Sequence, residues 1–186
     1  MKSEYIPQTL LILGMSAFIP NAMAQDNTNE KAPATEKAMV KKGSLTATIK
    51  DSVSFSTLTK ALVAAELDVV LGGNDDFTIF APTDEAFGKL KPEVLRKLLL
   101  PENKEKLRSL LLYHVVPGKV MAADLTSGDV KTMNGEKAKI SVSRDKIEIE
   151  GNKVFSADVV AKNGILHTIG TVLIPESLEG FAGLDK

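Results

Sequence analysis

The spacing of apolar residues changes character at Pro117 and Gly118. Before that point apolar residues recur every three or four positions, which is the spacing of a helix with one buried face. After it, short segments alternate apolar and polar residues, and turn pairs such as Asn134-Gly135 separate them. Helices followed by strands favour an α+β domain over repeated βαβ units.

The first half of the chain contains three helical patterns. The first helix is expected to start with Ser54 as its N-terminal cap and to end at Gly72 and Gly73. The other two begin near Pro92 and Pro101, because proline suits the first turn of a helix. The apolar stripe predicted for the first helix consists of Phe55, Leu58, Leu62, Ala65 and Val69.

Residues 77–87, FTIFAPTDEAF, place a short strand, a proline turn and a helix start in one segment. Pro82 is expected to end the strand, and Thr83 or Asp84 to cap the helix that follows. Asp84 and Glu85 also suggest paired carboxylates for acid and base catalysis. Acidic residues favour the positive end of a helix dipole, however, which explains them without catalysis. The residues of this segment that we expect in the core are Phe77, Phe80 and Phe87.

After Gly118 the pattern predicts a meander of antiparallel strands. Residues 165–174 form the last long apolar run and are expected to be a single strand. His167 lies on the same face of that strand as Ile165 and Ile169, so we expect a buried core histidine with satisfied hydrogen bonds. The turn pairs that separate the strands are Asn134-Gly135, Arg144-Asp145, Gly151-Asn152 and Asn163-Gly164.

Composition argues against several classes of function. With 23 basic and 24 acidic residues the formal net charge is −1, so there is no basic surplus for general binding of nucleic acid or anionic membranes. The chain has no cysteine, which removes thiol nucleophiles, disulfides and cysteine-ligated metals. Its two histidines fall short of the three or four protein ligands that a zinc site usually takes. Since there is also no G-x-S-x-G motif and no glycine-rich phosphate loop, we expect no enzyme, no metal and no cofactor.

The N-terminus has the pattern of a secretory signal. Lys2 precedes an apolar run at residues 10–19, and Ala22 and Ala24 fit the small residues of a cleavage site. A membrane anchor would need about 20 apolar residues, more than this run offers. Export to a periplasm or to the extracellular space is therefore expected, with no transmembrane segment in the mature chain. The predicted divisions are a signal peptide at residues 1–24, a flexible polar linker at 25–44, a domain at 45–177 and a tail at 178–186.

Three segments are distinctive in sequence and in order. They are FTIFAPTDEAF at residues 77–87, LLLYHVVPG at 110–118 and NGILHTIGTVLIP at 163–175. In these segments the chain resembles the fasciclin-type (FAS1) domain, and the similarity covers about residues 46–175. The resemblance implies a wedge of about seven β-strands flanked by several short α-helices. It also implies cell adhesion or macromolecular association without enzymatic activity.

The resemblance further implies candidate adhesion residues. Tyr113 and His114 occupy the position of a tyrosine-histidine segment that carries adhesion in animal members. Asp158 and Val159 occupy a second such position, although a Ser-Ala pair stands where animal members have Glu-Pro. The structural alternative is that Tyr113 and His114 belong to an extended interior segment, because both faces of that segment would be apolar.

The sequence leaves two functions open. The first is an exported, monomeric, non-enzymatic module that associates with a surface protein or polysaccharide. The second is a soluble carrier that holds an elongated apolar ligand, such as a pigment or lipid, between helices and strands. A coloured or lipid-containing purified protein would favour the carrier, and retention on a cell wall or matrix would favour association.

Overall fold

The structure is a computed structural model that describes residues 43–144 and 146–181. The predicted signal peptide, residues 1–42 as a whole and the last five residues of the tail lie outside the described residues. Ser44 is the last residue of the predicted linker, and it caps the first helix by accepting a hydrogen bond from the Ala47 N–H. The first helix among the described residues therefore begins where the polar composition of the predicted linker ends.

Seven strands form one sheet. They are β1 (Phe77–Pro82), β2 (Val115–Pro117), β3 (Gly128–Lys131), β4 (Lys137–Ser143), β5 (Lys146–Ile149), β6 (Asn152–Ala161) and β7 (Gly164–Ile169). Their order across the sheet is β2-β1-β7-β6-β5-β4-β3. The pair β1 and β7, second and third in this order, is parallel, and the other neighbouring pairs are antiparallel. The strands from β3 to β7 are consecutive neighbours, as expected of the predicted meander.

The helices come mainly from the first half of the chain. They are α1 (Leu45–Lys50), α2 (Ser56–Ala64), α3 (Asp68–Leu71), α4 (Asp84–Gly88), α5 (Pro92–Leu98) and α6 (Lys104–Tyr113). Short 3-10 helices lie at Val53–Phe55, Pro101–Asn103, Ala122–Asp124 and Glu176–Leu178. Pro92 and Pro101 are first-turn residues, as predicted. The α+β class, the seven strands and the flanking short helices are thus confirmed.

Two apolar clusters meet at β1. One contains the buried faces of the helices, such as Leu58 and Phe87, and the other lies among the strands and contains Ile140 and Ile169. Successive residues of a strand point to opposite faces, so Ile79 joins the first cluster and Phe80 the second. Because every residue of β1 is buried, this strand is the shared wall of both clusters.

The first predicted helix is wrong in its start and its length. Ser54 does not cap it, because Ser54 lies within the 3-10 helix Val53–Phe55 and α2 begins after it. The helix then breaks at Glu66, which has a left-handed φ of 54°. The break lets Leu67 and Leu71 enter the core, and it leaves Val69 78% exposed instead of on the predicted stripe.

The segment around Tyr113 and His114 is helical rather than extended. Tyr113 is the last residue of α6, His114 is the residue after it, and β2 starts only at Val115. The predicted strand over residues 165–174 is also too long, since β7 ends at Ile169. Beyond it, the N–H of Leu173 donates to the His114 ring rather than to a strand partner.

Candidate functional site

Thr83 and Asp84 cap two different helices. The Thr83 hydroxyl accepts the N–H of Ala86 and caps α4, as one of the two predictions has it. The Asp84 carboxylate accepts the N–H groups of Ser56 at 3.2 Å and Thr57 at 2.6 Å, so it caps α2. Burial opposes ionisation of Asp84, but the bonds from Thr57 and Ser56 outweigh it and lower the pKa of this carboxyl below its usual value. Capping of α2 therefore explains, without catalysis, why residue 84 is acidic.

His114 is buried with both ring nitrogens in hydrogen bonds. Nε2 lies 2.9 Å from the backbone N of Leu173, which can only donate, so Nε2 accepts. Nδ1 then carries the proton and donates to the carbonyl of Leu110 at 2.8 Å. Burial lowers the pKa of His114 to about 4, although the Leu110 carbonyl acts in the opposite direction. The neutral ring therefore joins the end of α6 to the segment after β7.

Tyr113 is also buried, with 2% of its surface exposed. Its hydroxyl lies 3.2 Å from the carbonyl of Lys137 and 3.2 Å from a carboxylate oxygen of Glu150, two acceptors it can donate to. The same Glu150 oxygen accepts the N–H of Lys139 at 2.7 Å. Burial, and next the negative charge of Glu150, raise the pKa of Tyr113 above its ordinary value. Tyr113 thus joins α6 to the β4 and β5 hairpin.

His167 and Asp158 are in direct contact. The N–H of Asp158 donates to Nδ1 of His167 at 3.3 Å, and Nε2 of that ring donates to the carbonyl of Val120 at 3.1 Å. The ring lies 5.3 Å from the ring of Phe80. Burial lowers the pKa of His167, against the opposing effects of the Val120 carbonyl and the Asp158 charge. The His167 ring is therefore neutral, buried and hydrogen-bonded.

Asp158 and Val159 lie in an irregular stretch of β6. The pairing register with β7 shifts between Ser156 and Val159, and Asp158 has a left-handed φ of 59°. Its carboxylate accepts the N–H of Ala122 at 2.7 Å, which holds the loop after β2 against the strand. Val159 is half-buried against the first apolar cluster. A β-bulge changes the direction in which the side chains of a strand project, and these two residues lie at such a bulge.

The predicted residues do not all belong to one hydrogen-bonded cluster. Asp158 and His167 touch each other, whereas Tyr113 and His114 reach other elements. The remaining residues of the 77–87 segment are core: Phe77, Phe80 and Phe87 are buried, and Pro82 is the buried last residue of β1.

One surface was missed by the sequence analysis. We call it the Phe155 surface, and it consists of Phe155, Gly170, Lys89 and Lys153. Phe155 is 64% exposed, although Val154 next to it is buried. The available sequence clue was the pair of adjacent apolar residues, because the alternation of a strand turns one of them outward.

A small pocket lies at the start of α4. The pocket has a volume of about 290 Å³ and is lined by Val53, Ser54, Thr83, Asp84 and Glu85. Among the described residues, no group of three or more His, Asp or Glu side chains could hold a metal ion. The same part of the chain has no helix long and apolar enough to cross a membrane.

Comparison with known proteins gives a consistent result. The model of the Fasciclin domain matches residues 53–175. Protein sll1483 of Synechocystis sp. is 41% identical over 170 residues, which cover 88% of this chain and 92% of that protein. Transforming growth factor-beta-induced protein ig-h3 of Sus scrofa is 35% identical over 126 residues, or 67% of this chain, but this chain spans only 18% of that protein.

A solved structure agrees with the fold. It is the FAS1 domain pair from the insect cell adhesion molecule Fasciclin I, with a TM-score of 0.65 and 20% identity. The match covers 73% of this chain and 52% of the insect chain. The family model, the cyanobacterial relative and the shared strand and helix arrangement lead to one conclusion: this chain belongs to the Fasciclin domain family.

Proposed function

We propose that this protein is an exported, non-enzymatic interaction module that associates with a partner at a cell surface or in an extracellular matrix. Family membership supports this proposal, since a solved relative is described as a cell adhesion molecule. The secretory pattern at residues 1–24 supports export. Its action would be surface complementarity, with the sheet and helices as a rigid support.

The observation that carries the proposal is the use of the interior polar groups. All four ring nitrogens of His114 and His167 make hydrogen bonds within the domain. The Tyr113 hydroxyl likewise has acceptors in the β4 and β5 hairpin. The two histidine rings and the Tyr113 hydroxyl thus stabilise the fold. We therefore expect a partner to bind at the outer surface of the domain.

The predicted adhesion residues take different roles in this proposal. Tyr113 and His114 are buried and would act by holding α6 against the strands. Asp158 and Val159 are half-buried at the β6 bulge and would shape the surface there. A direct contact between any of these four residues and a partner stays a prediction.

The carrier function is the weaker candidate. A carrier of an elongated apolar ligand needs a long cavity lined mainly by apolar side chains. The pocket beside Asp84 has a volume of about 290 Å³ and includes two carboxylates, which does not suit such a ligand.

The proposal is tested by following the full chain in its native host. We expect the protein to lose residues 1–24 and to remain on washed cell envelopes or matrix. Leu13→Arg interrupts the apolar run of the predicted signal and is the control, which should leave an unprocessed protein inside the cell. Recovery of the unchanged chain unprocessed in the cytoplasm, or of processed chain entirely free in the medium, would refute the proposal.

A further inference from the structure

His167 joins β6 to the loop after β2. Nδ1 of its ring accepts the N–H of Asp158 at 3.3 Å, and Nε2 donates to the carbonyl of Val120 at 3.1 Å. The Asp158 carboxylate makes a further link to the same loop, because it accepts the N–H of Ala122 at 2.7 Å. We call these three hydrogen bonds the His167 latch, since together they hold the loop against the strand.

The latch holds Asp158 in an unfavourable backbone conformation. Asp158 has a left-handed φ of 59°, and the register between β6 and β7 shifts between Val154 and Ser156 and again between Ser156 and Val159. Such a conformation is costly for a residue other than glycine, and it persists where surrounding contacts hold it. The N–H and the carboxylate of Asp158 both belong to the latch. Opening of the latch would therefore let the strand change shape at the bulge.

A second proton on the His167 ring is incompatible with the latch. Protonated Nδ1 would carry a hydrogen that points at the N–H of Asp158, so two donors would face each other. His167 is completely buried, so the ring would also carry a charge without water around it. Proton uptake therefore requires the Asp158 N–H to move away from the ring.

The Asp158 carboxylate is the charged group placed to accept the new hydrogen. It belongs to the residue whose N–H already lies on Nδ1. Burial lowers the pKa of His167, and the negative charge of Asp158 opposes that effect. β1 brings the ring of Phe80 against His167, and neither β1 nor β7 contains another ionisable side chain.

The remaining charged side chains of the loop and of β6 are engaged or placed elsewhere. Lys119 is exposed and pairs with Asp76 at 2.7 Å, and Asp124 is exposed. Lys153 lies at the other end of β6, in register with β5. Asp158 therefore supplies the counter-charge for a protonated His167 ring.

The other buried histidine has a different environment. The effects that act on the pKa of His114 are burial, which lowers it, and the Leu110 carbonyl, which opposes burial. In the described part of the chain its ring is hydrogen-bonded to backbone groups and to no carboxylate. Protonation of His114 is therefore coupled to unfolding of the domain, whereas a proton on His167 can be accommodated by a local exchange of hydrogen bonds.

We propose that the His167 latch is a pH-sensitive switch that releases the loop after β2 from β6 in acid. In the released state the protonated Nδ1 donates to the Asp158 carboxylate, and the Ala122 N–H loses that acceptor. The release changes the shape of the surface around Asp158 and Val159. This inference goes beyond the proposed function, and its test needs no partner.

Amide hydrogen exchange of the full chain tests the switch, with protection factors corrected for the intrinsic pH dependence of exchange. The N–H groups of Ala122 and Asp158 report on the latch. The Phe80 N–H, which donates to the His114 carbonyl from β1, reports on opening of the whole domain. Between pH 7.5 and 5 we expect the protection of the two latch amides to fall at least about tenfold beyond any loss at Phe80. The uptake of one proton shifts an equilibrium by up to about tenfold per pH unit.

Three variants separate the latch from general acid sensitivity. Gln cannot take up a proton but offers one donor and one acceptor, so in His167→Gln the latch amides should lose no more protection than Phe80. His114→Gln is the matched control, which removes the other buried histidine and should leave the pH response of the latch amides in place. Asp158→Asn keeps an oxygen for the Ala122 N–H but removes the counter-charge. In that variant an NMR titration should show His167 taking up its proton at a lower pH than in the unchanged protein.

Several results would overturn the inference. One is an equal loss of protection at Ala122, Asp158 and Phe80, and another is the same loss at the latch amides in His167→Gln as in the unchanged protein. The NMR titration of the unchanged chain decides the question even if the His167→Gln variant does not fold. A His167 ring that stays neutral at every pH at which the domain is folded, or that takes up its proton while the Asp158 amide keeps its protection, is incompatible with the switch.

Discussion

Acidification is expected to destabilise the domain through His114. In the folded protein Nε2 of this ring accepts the Leu173 N–H, so a proton there would break the bond and place a charge in a buried site. The chain contains only two histidines, and His167 is buried in a similar way. Stability between pH 7.5 and 5 therefore reports mainly on these two rings.

The sign and size of the effect follow from the pKa of His114. Burial lowers it to about 4 in the folded protein, against about 6.5 in an unfolded chain. Because the folded pKa is the lower one, the stabilisation is complete above pH 6.5 and is lost as the pH falls towards 4. One such proton costs about 1.4 kcal/mol per pH unit, so the free energy of unfolding should fall by about 2 kcal/mol between pH 7.5 and 5. The lowered pKa of His167 adds to this loss.

Urea unfolding at pH 7.5, 6.5, 5.5 and 5 measures this loss directly. Gln does not titrate, so the His114→Gln variant should take up one proton fewer on unfolding than the unchanged protein. Its free energy of unfolding should therefore fall less steeply as the pH is lowered. The variant should also be less stable at pH 7.5 by about 1 to 3 kcal/mol, because the Leu173 N–H and Leu110 carbonyl lose their partner.

Two results would refute the reasoning about His114. One is an unfolding free energy that is the same at pH 7.5 and 5 in the unchanged protein. The other is an NMR titration in which the His114 ring takes up its proton near pH 6.5 in the folded state. The NMR measurement needs no substitution, so it decides the question even if His114→Gln does not fold.

Two further substitutions test the packing between distant segments. Asp84→Ala removes the acceptor of the Ser56 and Thr57 N–H groups and should lower the free energy of unfolding by about 0.5 to 2 kcal/mol. Glu85→Ala, at an exposed neighbouring position, is the control and should change the free energy of unfolding by less than about 0.5 kcal/mol. Equal effects of the two substitutions in urea unfolding would contradict the role of Asp84 as a cap. Gly164→Ala would place a Cβ 2.0 Å from the carbonyl oxygen of Phe77, between the parallel strands β1 and β7, and should cost about 1 to 3 kcal/mol or more. A melting temperature for Gly164→Ala equal to that of the unchanged protein would show that these strands can separate without cost.

Local patterns were sufficient for most of the elements. Asn134-Gly135 lies between β3 and β4, because its backbone preferences act within the turn itself. Asn163 lies between β6 and β7, and Gly164 is the first residue of β7. Pro92 and Pro101 begin helical segments for the same local reason. The family resemblance supplied the number of strands, which periodicity alone could not.

Predictions failed where a distant residue decided the outcome. Ser54 has a side chain suited to capping, but the start of α2 receives its acceptor from Asp84, almost thirty positions later in the chain. The stripe that ended at Val69 is interrupted because Leu67 and Leu71 fill the core after the break at Glu66. In both cases tertiary packing overrides the local preference.

The sequence by itself determined the α+β class, the main turns, the family and the burial expected of His167. Each of these depends on residues close together in the chain, or on motifs that are recognised as wholes. Only the tertiary structure decided that His114 accepts from Leu173, that Asp84 caps α2, and that Lys89 donates to the carbonyl of Gly170. These contacts join segments tens of residues apart, and their geometry is set by how the helices and strands pack, which local periodicity does not encode.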